Sequence, residues 1–82
     1  MKWIMIDFAG MSPSKKTNIW AIRSTQGDDR LGFVKWHGPW RKYAFFPEPN
    51  CLFEEDCLRD IADFVEGATW SHKEERKERM LS

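Results

Sequence analysis

Nowhere does the sequence hold the run of about 18 apolar residues that a helix needs to cross a hydrocarbon core, which excludes a helical membrane span. The apolar opening Met1-Lys2-Trp3-Ile4-Met5-Ile6 meets Asp7 too soon to form the apolar region of a signal peptide, so residence in the cytoplasm is expected. Cysteine is scarce. Cys51 and Cys57 are the only two, and in a reducing cytosol they are expected to be free, partly buried thiols. With His37 and His72 they would make four potential metal ligands, but their spacing does not match common zinc sites and neither histidine has a second ligand at helical spacing. No metal and no cofactor is therefore expected. A glycine-rich phosphate loop, a nucleophile elbow and a His–carboxylate constellation are all missing. Asp7-Phe8-Ala9-Gly10 is loosely like the first acidic residue of nucleases related to RNase H. Those enzymes gather several further carboxylates around a larger sheet than this chain can build, so the chain is not expected to be an enzyme.

Net charge is missing too, since 13 Lys/Arg balance 13 Asp/Glu. The balance hides an asymmetry. Residues 1–47 carry eight basic and three acidic side chains, whereas residues 48–82 carry five and ten. An electrically lopsided molecule can orient a charged partner without any effect on its fold.

What the chain has in quantity is aromatic surface: five Trp, six Phe and one Tyr in 82 residues. Each ring buries about 150–250 Å², enough for a small domain to close a core and still leave rings at an interface. Residues 3–8 (WIMIDF) are apolar and β-prone and predict a first strand, followed by a Gly/Ser/Pro/Lys loop over 9–16. Residues 17–24 (TNIWAIRS) predict a second strand with Trp20 and Ile22 on one face and Ile19 and Ala21 on the other. After turn residues 25–29, residues 31–37 (LGFVKWH) predict a third strand, Gly38-Pro39 a reversal, and residues 40–46 (WRKYAFF) a fourth. Pro47-Glu48-Pro49 stops the sheet.

A helix is expected over residues 54–66. Cys57, Leu58, Ile61, Phe64 and Val65 form its apolar stripe, and acids crowd the first turn, where the helix dipole favours them. Phe53 and Leu58 are spaced for a hydrophobic staple around a Glu54 cap, and Gly67 stands where a left-handed C-terminal cap belongs. The expected architecture is α+β: a three- or four-stranded antiparallel meander with one helix packed on one face. Residues 1–69 form the domain, and residues 70–82 a charged tail, helical or disordered.

The densest chemistry is Lys35-Trp36-His37-Gly38-Pro39-Trp40-Arg41-Lys42-Tyr43. Neighbours in a strand point to opposite faces, so with Trp36, Tyr43 and Phe45 toward the helix, Lys35, Arg41 and Lys42 line the other face or the edge. Trp40, beside Gly38-Pro39, is hard to bury at a hairpin tip. Lys35, His37, Trp40, Arg41 and Lys42 are the candidate partner-binding residues, and three uses of them stay open. Every ring can be core with the cations merely solubilising. An exposed Trp flanked by Arg is the composition of a protein-interface hot spot. The same set suits a base-stacking platform with phosphate-binding cations. A rival surface is the acidic helix face of Glu55, Asp56, Asp60 and Asp63, with Glu66, which is either an ordinary solvated face or an imitation of phosphates for a basic groove on another protein.

Ile19-Trp20, Leu31-Gly32, Lys35-Trp36, Trp40-Arg41-Lys42-Tyr43 and Phe45-Phe46-Pro47, followed by Cys57-Leu58, Asp60-Ile61-Ala62 and Phe64, carry a resemblance. Over residues 17–64 the chain resembles a group of short, uncharacterised bacteriophage and prophage proteins. The resemblance implies a small accessory protein that acts stoichiometrically in the host cytoplasm by occluding a host protein or complex. An anti-CRISPR-type inhibitor of a host-defence complex is one member of that class. A nucleic-acid-binding module is the alternative.

Overall fold

A computed structural model describes residues 2–27 and 29–81, the last six by backbone alone. Four strands follow in order, β1 (Ile4–Met11), β2 (Asn18–Ser24), β3 (Arg30–His37) and β4 (Lys42–Pro47), and one helix, α1 (Glu55–Leu81), closes the chain. The sheet order is β1-β2-β3-β4 with every neighbouring pair antiparallel. The α+β meander expected from the sequence is the observed fold, in its four-stranded form.

Alternation sorts the sheet into two faces. Ile4, Ile22, Val34 and Tyr43 are buried with Leu31 and with Ile61 of the helix, and Trp20, Trp36, Phe45, Phe53, Phe64 and Val65 pack around them. Arg23, Phe33, Lys35, His37, Lys42, Ala44 and Phe46 alternate with these residues and so occupy the opposite face, which no described element covers.

The helix crosses the sheet on a diagonal set by two side-chain bonds. At the start of β1 the Trp3 N–H donates to the Asp60 carboxylate at 2.9 Å. At the start of β4, the opposite corner, the Tyr43 N–H donates to the Thr69 hydroxyl at 3.0 Å. Glu54 caps the helix, its carboxylate accepting from the amides of Asp56 and Cys57.

Three local expectations need correction. The helix does not stop at Glu66. Gly67 keeps a helical backbone, and the chain winds on to Leu81, because the charged segment contains strong helix formers and Trp36 and Tyr43 give the ring of His72 a surface to lie on. The fourth strand does not begin at Trp40. Gly38–Trp40 form a 3₁₀ turn, with Pro39 at a first-turn position where its missing N–H is no loss, and Arg41 closes the turn in the left-handed conformation. The first strand runs past Phe8 to Met11 through a bulge at Ala9 that Gly10 permits by adopting φ +134°.

Candidate functional site

The hairpin between β3 and β4 presents the candidate residues at three separate positions. Lys35, paired with Ala44, and His37, paired with Lys42, stand on the uncovered sheet face. There the Lys35 ammonium lies 4.5 Å from the centre of the Phe46 ring, and His37 meets Trp40 edge-on at 4.5 Å. Trp40 is at the tip and 64% exposed. Arg41, also exposed, holds φ +53° and donates its N–H to the Gly38 carbonyl at 3.0 Å. Trp36 and Tyr43 point the other way, into the core.

The feature sequence reasoning missed lies along the outer edge of β4. Lys42, Tyr43, Ala44 and Phe45 form the floor of a groove of about 670 Å³, and helix residues including Leu58, Val65 and Trp70 form its wall. Trp40 and Lys73 also line it. Leu58, expected in the helix's buried stripe, is half exposed here, and Phe53, its expected staple partner, meets Phe45 at 5.6 Å. Trp70 is 64% exposed. The signal that could have found the groove was the helix length. Once α1 passes Gly67, Trp70 falls one turn beyond Glu66 on the same side, opposite the start of β4.

The acids of the helix differ in their surroundings. Asp60 is committed to the Trp3 amide, and Asp56 pairs with Arg59 at 3.2 Å. Glu55 and Asp63 remain exposed, and Glu66 borders the β4 groove. A second groove of similar volume, lined by Met11, Lys15, Lys16, Asp63, His72 and Glu75 among others, opens on the other side of the diagonal helix and is more polar. The potential metal ligands are dispersed. His37 and His72 lie on opposite faces of the sheet, and no group of three His, Cys, Asp or Glu side chains suited to a metal exists among the described residues.

Among the described residues, Cys57 stands in the most distinctive electrostatic environment. Burial, reinforced by the carboxylates of Glu54 and Asp60, pushes its thiol above the ordinary range. Folded chains thus keep this proton at a pH where unfolded chains have lost it, so this group's effect is to lower stability as pH climbs through and above the ordinary thiol range. Cys57 is expected to react with a thiol reagent at pH 8 several-fold more slowly in the native chain than in urea. Equal rates would contradict that environment.

A four-stranded meander backed by a single diagonal helix defines a small α+β protein whose two grooves flank that helix. By sequence the chain belongs to the family of the uncharacterized 9.3 kDa protein of Acholeplasma phage L2, with 34% identity over 53 residues that span 65% of this chain and 68% of that protein. No family model matches the chain, and no solved structure matches it. Among the described residues, no helix is long and apolar enough to cross a membrane.

Proposed function

We propose that the chain is a non-enzymatic phage accessory protein that binds a host protein or complex stoichiometrically, with the hairpin tip and the β4 groove as the contact. A host-defence complex of the kind blocked by anti-CRISPR proteins is the target class. The observation that carries this reading is the pairing of two largely exposed tryptophans, Trp40 and Trp70, on a mostly apolar groove that also includes Lys42 and Lys73. Exposed Trp beside Arg and Lys is the composition of an energetic hot spot, and a groove gives it a place to exclude water. Arg41 adds an independent argument. A left-handed backbone costs an L-residue about 1 kcal/mol that glycine would avoid, so retaining arginine there fits a use for its side chain.

The uncovered sheet face favours a second reading as a nucleic-acid platform, because Lys35 over Phe46 and Arg30 over Phe33 combine cations with rings. One experiment separates the two. Tagged chain is used to capture partners from host lysate, and the capture is repeated with Trp40→Ala, Arg41→Gly and Asp63→Lys. Trp40→Ala is expected to weaken a protein partner by about 2 kcal/mol, roughly 30-fold. Arg41→Gly should also weaken it without lowering the melting temperature, and Asp63→Lys should leave it intact. Loss with Asp63→Lys alone would move the site to the acidic helix. Capture of oligonucleotide, with affinity falling steeply as salt rises, would replace the protein reading with the nucleic-acid one.

A further inference from the structure

The two edges of the sheet are guarded very differently. The Glu48 N–H to Leu31 C=O bond fixes the hydrogen-bonding phase of β4, so the backbone groups of Tyr43, Phe45 and Pro47 face outward. Tyr43 spends its N–H on Thr69, Pro47 has none, and only Phe45 is left with a free donor to offer an incoming strand. The Thr25 N–H to Trp3 C=O bond fixes β1 in the same way, so Ile4, Ile6 and Phe8 face outward. This edge contains no proline and no lysine, and its one charged side chain, Asp7, is neutralised by Arg23 at 3.0 Å. Phe8 is 63% exposed at its far end, because the diagonal helix has left β1 by that point.

We propose that the β1 edge is a self-association surface, at which β1 pairs antiparallel with β1 of a second copy. The outward-facing groups are those of Ile4, Ile6 and Phe8, ending at the bulge at Ala9, so the open stretch is centred on Ile6. A two-fold axis there sets Ile6 against Ile6 of the second copy, Phe8 against its Ile4, and Met5 against its Asp7. Side-chain faces are preserved, since the shift is even, and no like charges are opposed. The exposed Phe8 ring then lies beside an aliphatic neighbour on the helix-covered face. The pairing is isologous and uses both open edges, while the guarded β4 edges stop further growth, so assembly closes at two. A strand from a different protein could use the same edge, but nothing along β1 discriminates in its favour, whereas the self-pairing is complementary throughout. This inference does not rest on the identity of any host partner.

The test is mass by light scattering over a concentration series reaching the millimolar range, with amide hydrogen exchange on the same samples. Wild-type chain is expected to reach twice its 9.8 kDa mass, with Ile6 and Phe8 amides slowed and the Phe45 amide exchanging freely. Phe8→Lys, placed at an exposed site, should halve the mass. If that variant fails to fold by circular dichroism, the wild-type exchange pattern decides. A wild-type chain that stays at 9.8 kDa throughout would overturn the proposal. So would a dimer in which the Ile6 and Phe8 amides exchange freely, or protection that appears only when another protein is added.

Discussion

Gly32→Ala is expected to destabilise the fold more than any other single added methyl group. Gly32 is buried in β3, opposite Ile22 on one side and Pro47 on the other. A Cβ at this position would stand 2.9 Å from two atoms of the Phe45 ring and closer still to the Phe46 carbonyl oxygen. The ring cannot turn aside freely, because it packs against Phe53, and the carbonyl belongs to the ladder that joins β3 to β4. Accommodating the methyl means moving the two strands apart. Overpacking of this kind costs about 3 kcal/mol, against a total of about 4–12 kcal/mol for a chain of this length. The melting temperature should fall by about 12–24 °C. Gly67→Ala is the control. It lies in the helix with open space around it, and should stabilise by about 1 kcal/mol. A Gly32→Ala protein that melts within a few degrees of wild type would mean that Phe45 does not sit over this glycine.

The strands and the start of the helix were legible because their signals are local. Trp20 and Ile22 alternate with Ile19 and Ala21 at a period of two, Gly38-Pro39 reverses the chain, and Glu54 caps a stripe that includes Ile61, Phe64 and Val65. The helix end was not legible. Gly67 is a strong local stop signal, but it is overridden by tertiary contacts of His72 with Trp36 and Tyr43, which lie about 30 residues away along the chain. The role of Gly32 was hidden for the same reason, since it depends on where the Phe45 ring falls after β3 and β4 have paired. Of the candidate surface, Trp40 and the outward cations followed from alternation and turn chemistry. The groove did not, because it exists only between β4 and the helical turns that carry Trp70 and Lys73, and their position is set by the Thr69 bond to Tyr43. The acidic face looked uniform in sequence, but Asp60 works within the structure and cannot be told from Asp63 by spacing.

Tyr43 is where fold and candidate site meet, and replacing it should separate its two roles. The ring is 4% exposed and packs against Trp20 at 5.2 Å and edge-on to Trp36 at 5.3 Å. It lines both grooves, as a shared wall under the helix that separates them. Its hydroxyl accepts the Asn18 N–H at 3.1 Å, where the β2–β3 ladder has already ended at Trp20 and Val34. Tyr43→Phe keeps the wall and removes only that acceptor. The Asn18 amide is partly exposed and can turn to water, so the loss should be about 1 kcal/mol. Tyr43→Ala removes the wall, and by analogy with other buried aromatics should cost about 4 kcal/mol. Urea unfolding of both variants measures the difference directly. Lys42, which also lines the groove, directly precedes Tyr43 in the chain, so Tyr43→Ala should also weaken any partner held at the hairpin tip, while Tyr43→Phe should hold that partner as wild type does. If the two variants lose the same stability, Tyr43 contributes its hydroxyl and not its ring, and the core of this small sheet would have to be centred on Ile22 and Val34 alone.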